Sequence, residues 1–270
     1  MTLLAAWVGV DAKKDSSKVA SIYFATDSRI SWPNGDTFDE STKSFGMENH
    51  PDIFAFCGDV LFPTIAIPQI IQQADKMMLY PEACTVEGKF EILTTKIAES
   101  ITRYPKSQTA GSFTILYATR DHKKDFHCYR LDWSIRTGLS SAKLILPIQS
   151  NIVVVLGSGA REFLVNFDGL YNHPKYNNFG TSRTVYHCFT DTLNNIENPQ
   201  CGGAPQIVGL YRVRNAINFG IVDGEKRFLG GSEINNHENA KFVEWRNENF
   251  ERIDPRTMQI LDSAQKQPKI

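Results

Sequence analysis

The sequence predicts an α+β fold, a four-layer αββα sandwich. Three observations point there. Strand-like apolar runs come in adjacent pairs joined by polar turns, and two pairs of helix-like segments separate them. The resulting order is strands, two helices, strands, two helices, strands. Several of the strand runs are apolar on both faces, as strands covered from both sides are. The chain's 270 residues, 41% of them hydrophobic, suffice for one large core.

The elements follow in order. Leu3–Val10 reads as the first strand; it is too short for a membrane span and lacks a basic leader region. The polar stretch from Asp11 to Lys18 reads as an elongated hairpin turn leading into Val19–Thr26. A polar connection then carries Asp39 to Gly46, and Asp52–Asp59 holds a short apolar strand followed by Gly58 at the start of a helix. The first helix pair is about Val60–Met78 and Val86–Tyr104. Pro63 fits a first turn, whereas Pro68 is expected to kink or delay the first of these helices. Ser112–Thr119 and Asp125–Trp133 form a strand pair around the turn Arg120–Lys124. Asn151–Leu156 is a buried strand that breaks at Gly157-Ser158-Gly159 and enters a helix. The second helix pair is about Ala160–Leu170 and Arg183–Ile196. Gln206–Val213 and Ala216–Val222 close the pattern around Arg214-Asn215. Residues 1–234 form the domain, and the polar residues 235–270 form a C-terminal extension that lies across the surface or reaches a neighbouring subunit.

Thr2 is the most suggestive residue for function. Removal of Met1 leaves Thr2 with a hydroxyl and a primary amine side by side. An α-amino group titrates near ~8, so it can accept the hydroxyl proton at neutral pH. Three further segments bear on this. An apolar run ends in Asp27-Ser28-Arg29, a polar connection supplies Lys43, and a short strand ends in Cys57-Gly58. Lys43 follows Asp27 by 16 residues, and Gly58 follows Lys43 by 15. Taken singly these residues have plain readings: Asp27 as a strand-end turn, Lys43 as a solvated charge, Gly58 as a cap.

Together, in this order and at this spacing, they resemble the proteasome β-subunit family of N-terminal-nucleophile hydrolases, which includes the bacterial HslV-type and Anbu-type rings. The Met-Thr start is most similar to the Anbu branch. The resemblance spans about residues 2–60 and 105–220. It implies a threonine-type peptidase of the same αββα architecture. Thr2 is the implied nucleophile, Lys43 the ammonium that tunes it, Asp27 the carboxylate that keeps Lys43 charged, and Gly58 the donor to the oxyanion. The Gly-Ser-Gly at 157–159 matches the family's, which makes Ser158 the auxiliary residue beside the N-terminal amine. The competing reading is Ser158 as a helix N-cap. A phosphate-binding loop is disfavoured, because no Lys-Ser/Thr pair follows and no GxGxxG is complete.

One departure stands out. Asn198 falls where the family carries an aspartate three residues before Ser-Gly-Gly, here Cys201-Gly202-Gly203. Asn can hydrogen-bond but brings no charge, and Asp191 is a candidate to compensate. Ile30, Ser41, Phe45, Phe56 and Val60 match the first specificity pocket. They imply an apolar side chain before the cut bond and, with Phe56 as floor, a shallow pocket; core packing is the alternative.

The remaining features are expectations of what is missing or elsewhere. Twenty-nine basic and thirty acidic residues give a net charge of −1, which argues against nucleic acid or an anionic membrane as partner. Five cysteines without a CxxC fit reduced thiols in a cytoplasm, and Cys57 reads as a small core residue rather than a nucleophile. The six histidines show no metal spacing, so no metal and no cofactor are expected. The implied partners are a peptide or unfolded protein substrate, further copies of the chain in a ring or spiral, and a separate ATPase unfoldase, since the chain has no Walker motif. Two other functions compete: a non-catalytic proteasome-like scaffold, favoured by Asn198, and an amidase acting on small amides.

Overall fold

Two apolar runs, Leu4–Val10 and Val19–Ala25, build the first hairpin. β1 (Leu4–Lys13) pairs antiparallel with β2 (Ser16–Thr26) from Leu4 opposite Thr26 to Lys13 opposite Ser16, with a register shift between Gly9 and Val10. The structure, a computed structural model, describes residues 2–13, 16–105, 111–235 and 240–264. Met1, the tip of the expected hairpin turn at 14–15, and residues 236–239 and 265–270 of the expected extension lie outside the described residues.

Past this hairpin the backbone turns through the short strands β3 (Ile30–Ser31) and β4 (Thr37–Phe38) into β5 (Ser44–Gly46) and β6 (Asp52–Gly58). Two helices follow. α1 (Leu61–Asp75) starts where Asp59 accepts the Leu61 N–H at 3.0 Å and the Gly111 N–H at 3.0 Å. It runs through Pro68 and starts without delay. α2 (Val86–Arg103) is capped by Thr85, whose Oγ1 accepts the Gly88 N–H at 3.1 Å, and carries Glu87 in its first turn and Arg103 in its last.

β7 (Phe113–Arg120), β8 (Phe126–Ser134) and β9 (Gly138–Leu144) complete a five-stranded sheet in the order β5-β6-β7-β8-β9. β10 (Asn151–Leu156) returns to pair with β1. α3 (Ala160–Asn166) then passes into a π-helical turn at Phe167–Tyr171, and α4 (Ser182–Asn195) follows. β11 (Gln206–Tyr211), β12 (Ile217–Asp223), β13 (Lys226–Leu229) and β14 (Ser232–Glu233) extend the first sheet to the order β10-β1-β2-β11-β12-β13-β14. β15 (Trp245–Arg246) joins β12 as a parallel partner on the edge opposite β13, and β16 (Ile253–Asp254) pairs with β17 (Gln259–Ile260). Among the described residues, no helix is long and apolar enough to cross a membrane.

The two-residue period of the strands decides where the core sits. Leu4, Ala6 and Val8 of β1 and Ile22 and Phe24 of β2 pack with Ile53 and Ala55 of β6 and Leu116 and Ala118 of β7. The alternate residues Leu3, Ala5, Trp7, Tyr23 and Ala25 pack with Phe163, Tyr186 and Phe189. Phe54, Phe56, Ile115 and Tyr117 meet Phe62, Ile67, Leu93 and Ile97. Strands buried on both faces explain why these runs read as continuously apolar. Each fully buried Phe or Leu contributes about 1.5–3 kcal/mol relative to exposure.

The expected fold class, an α+β four-layer αββα sandwich, is corrected by these proportions. Strands hold 35% of the chain and helices 25%, spread over several antiparallel sheets with four α-helices among the described residues. The fold is mostly β. Segments that carry too few residues for a visible period turn out to be strands, among them β3, β4, β5, β14 and β15 to β17. The expected helix Ala160–Leu170 keeps only 7 residues of α-helix before its π turn. Part of the expected extension also joins the main sheet: β15 pairs with β12, and Trp245 is buried with Val222 and Ile253.

Candidate functional site

Thr2 sits at the entry to β1, in the seam between β1, β2 and the loop before α3. Its neighbour Leu3 is tied to the end of β2 twice. The Leu3 N–H donates to Asp27 Oδ1 at 3.2 Å, and the Asp27 N–H donates to the Leu3 carbonyl at 3.2 Å. The other carboxylate oxygen of Asp27 accepts the Gly202 N–H at 3.1 Å. A buried carboxylate needs such donors.

Lys43 enters from the polar connection. Its backbone is fixed from both sides: its N–H donates to Gln206 Oε1 at 3.0 Å, and its carbonyl accepts the Phe56 N–H at 3.1 Å. Gln206 is itself buried and donates Nε2 to the Ser41 carbonyl at 2.6 Å. The Lys43 side chain is fully buried, and its Nζ donates to Thr2 Oγ1 at 3.0 Å, to Asp27 Oδ1 at 3.0 Å and to the Arg29 carbonyl. An ammonium has three N–H donors, and these acceptors use all three. Arg29 is held in turn by Asp39, which takes its Nε at 2.7 Å and its Nη2 at 2.8 Å.

Burial is the dominant electrostatic influence here. It pushes the Lys43 ammonium below the ordinary lysine range, against the pull of Asp27. It also raises the Asp27 carboxyl, against Lys43 and the Gly202 and Leu3 N–H groups. Each partner keeps the other ionised in a place that water would otherwise have to serve. An ammonium in contact with a hydroxyl oxygen favours the deprotonated hydroxyl, so the arrangement can activate Thr2 as a nucleophile.

The loop 157–159 closes on the backbone of Thr2. Gly157 has a φ of +90°, and a Cβ there would lie 1.9 Å from the Thr2 carbonyl oxygen. The Gly159 N–H donates to that same oxygen at 3.4 Å. The Ser158 Oγ lies 3.4 Å from Cys201 Sγ. Ser158 is not the helix cap, since Gly159 occupies that position with no side-chain bond. Asn198 donates Nδ2 to the Ser158 carbonyl at 3.3 Å and accepts the Gln200 N–H at 3.0 Å, which ties the 198–203 turn to the Gly-Ser-Gly loop. Asp191 does not compensate for it. It accepts the Tyr171 hydroxyl at 2.8 Å along the helix side.

Gly58 ends β6 with a φ of +97°, where a Cβ would meet the Ser112 carbonyl at 2.4 Å. Only glycine fits that close approach. A cavity of about 250 Å³ opens beside it, lined by Cys57, Gly58, Ser112, Thr114 and Asp132 among others. Burial pushes the Cys57 thiol up to about 11 and also raises Cys201, so neither is poised as a thiolate.

The five residues matched to a specificity pocket divide. Phe45, Phe56 and Val60 come together, with the Phe45 and Phe56 rings stacked at 6.4 Å, but in the cluster under α1; Phe56 is fully buried there. Ser41 gives its carbonyl to Gln206, and Ile30 pairs with Phe38 between β3 and β4. Sequence reasoning missed Gln206, Gly202 and Gly157 as supports of the site. The glycine that breaks an apolar strand was a usable signal for Gly157; Gln206 offered only a polar residue at the head of an apolar run.

A scan against protein-family models found no match to this chain, and a search of curated proteins found none.

Proposed function

We propose that the chain is a threonine-type hydrolase, a peptidase that uses Thr2 as nucleophile once Met1 is removed. The observation that carries this reading is the Lys43 Nζ at 3.0 Å from Thr2 Oγ1 and 3.0 Å from Asp27 Oδ1, with all three side chains fully buried. The reading extends the resemblance to the proteasome β-subunit family to the chemistry of this site.

In this mechanism the freed Thr2 amine takes the hydroxyl proton as Oγ attacks a carbonyl carbon of the substrate. Lys43 stabilises the forming alkoxide, and the Gly58 N–H receives the charge that develops on the substrate oxygen. The amide C–N bond breaks, the proton leaves with the departing amine, and an ester on Thr2 remains. Water then cleaves that ester and restores the hydroxyl. The substrate is a peptide or unfolded protein, the working form a homo-oligomeric ring or spiral in the cytoplasm, and any unfolding ATPase is a separate protein.

The test pairs Thr2→Ala with wild type in peptide cleavage and in labelling by a peptide epoxyketone, which requires both hydroxyl and free amine. Cleavage and a labelled mass in wild type alone support the reading. Equal cleavage by both proteins removes Thr2 from the chemistry.

One observation favours a second reading, a non-catalytic scaffold subunit: Thr2 is fully buried. There the Lys43 cluster serves packing alone. Intact mass separates the two, because a chain that retains Met1 in its native host keeps the amine blocked.

A further inference from the structure

Thr2 and Asp27 are carried by one sheet and Lys43 by the other. Thr2 stands before β1 and Asp27 follows β2, whereas Lys43 directly precedes β5 and gives its carbonyl to the Phe56 N–H of β6. The contact of 3.0 Å between Lys43 Nζ and Thr2 Oγ1 therefore spans two sheets. A lysine nitrogen rides on a flexible four-carbon stem, so its place depends on where the backbone beneath it is held.

Gln206 holds that backbone from the side of Thr2. It is the first residue of β11 and pairs with Thr26, the residue before Asp27. Its side chain is buried and reaches across to the chain that leads into β5. Oε1 accepts the Lys43 N–H at 3.0 Å, and Nε2 donates to the Ser41 carbonyl at 2.6 Å and to the Asp27 carbonyl at 3.4 Å. These partners fix which way the amide points, since its oxygen meets an N–H and its nitrogen meets carbonyl oxygens. One neutral group thus grips the main chain at both members of the ion pair.

The turn between β13 and β14 backs this amide. Gly231 there has a φ of +89°, and a Cβ on it would lie 2.8 Å from Gln206 Nε2 and 3.1 Å from the Ser41 carbonyl oxygen. Glycine leaves the amide that space. The same turn takes hold of the neighbouring residue: Thr42 Oγ1 donates to the Gly230 carbonyl at 2.7 Å. At the far end of β5, a second amide makes a similar grip in the open. Asn218 of β12 accepts the Gly46 N–H at 2.8 Å and donates to its carbonyl at 3.3 Å, three residues from Lys43.

We propose that Gln206, backed by Gly231, is a positioning residue of the Thr2 site: from outside the reacting atoms it sets how closely the Lys43 ammonium meets the Thr2 hydroxyl. This rests on the reading of Thr2 as nucleophile. A misplacement of about 1 Å can cost on the order of 100-fold in rate. Loss of the grip should accordingly slow turnover and leave substrate binding as it was.

The test is steady-state cleavage of a fluorogenic peptide, with epoxyketone labelling of Thr2, by wild type, Gln206→Met, Gln206→Glu, Gly231→Ala and Asn218→Ala. Folding is checked by circular dichroism and stability by urea unfolding. Gln206→Met should lower kcat by about 10- to 100-fold and slow labelling likewise, with KM within about twofold of wild type. Gln206→Glu keeps an oxygen for the Lys43 N–H and gives up the amide donors, so it should show the same split more mildly; it serves if the methionine variant fails to fold. Gly231→Ala leaves Gln206 in place but crowds its amide, and should shift kcat in the same direction. Asn218→Ala removes a comparable grip away from Lys43 and should lower stability with kcat unchanged. The proposal is overturned if folded Gln206 variants turn over as wild type does, if they raise KM alone, or if Asn218→Ala lowers kcat as much as they do. A wild-type chain that neither cleaves nor becomes labelled instead removes the Thr2 reading, and this role with it.

Discussion

Lys43 meets Asp27 at 3.0 Å and Lys89 meets Asp52 at 2.9 Å. Both aspartates are fully buried, but so is Lys43, whereas the Lys89 side chain keeps 13% of its surface in solvent. Lys89 lies over the Tyr80 ring at 5.0 Å, and Asp52 also accepts the Tyr117 hydroxyl, so this pair pins α2 to the strands beneath it. Lys43 instead spends its third donor on a hydroxyl. The same charges at the same distance thus separate a fastening from a candidate catalytic contact, and what separates them is solvent access and the identity of one neighbour.

The comparison breaks first at Lys43. Lys43→Met strands Asp27 without its counter-ion and should lower stability by about 3–5 kcal/mol in urea unfolding. Lys89→Met leaves Asp52 with the Tyr117 hydroxyl, at a place where the Lys89 side chain already reached solvent, so its loss should be only about 1–2 kcal/mol. Equal losses would mean that solvent access does not distinguish the pairs. Epoxyketone labelling of Thr2 should vanish in the first variant and survive in the second.

Gly157→Ala tests the seat of Thr2 rather than its charge. The backbone strain alone should cost about 1–3 kcal/mol, and displacement of the Thr2 carbonyl should reduce labelling even where the variant stays folded. Labelling at the wild-type rate would show that the loop does not position Thr2.

Alkaline pH sharpens the contrast more gently. Burial lowers the Lys43 pKa in the folded state, so between that value and the ordinary ~10.4 the unfolded chain binds more protons. Stability of wild type relative to Lys43→Met should therefore rise with pH across this window. A gap that narrows on going alkaline would reverse the assigned direction. The smallest effect is expected from Asn198→Asp, which removes the donor to the Ser158 carbonyl and should cost about 1 kcal/mol.

How much of this was readable beforehand depends on range. Thr2, Asp27 and Lys43 lie along one hairpin and its exit, with the Asp27–Lys43 interval matching the resembled family and the Thr2–Asp27 interval several residues longer, and hydrogen bonds join all three. α2 begins at the expected Val86 because Thr85 caps it locally. Gln206 and Gly202 were not readable, since each contacts the site across more than 160 residues of chain. The fold class failed for a related reason. Two-residue strands such as β3 and β15 carry no periodicity and exist only because a partner strand is already in place. Phe45, Phe56 and Val60, matched to a pocket by resemblance, cluster beneath α1, because an apolar side chain reads the same in a pocket wall and in a core.

Gly220 faces Trp245 across the parallel pairing of β12 and β15, and a Cβ at Gly220 would meet the indole at 2.4 Å. Those two positions are therefore mutually dependent in any descendant of this chain. A larger residue at 220 is tolerable only alongside a smaller one at 245, so they should drift as a couple, and a shuffled chimera that inherits one without the other should lose the docking of β15 against β12.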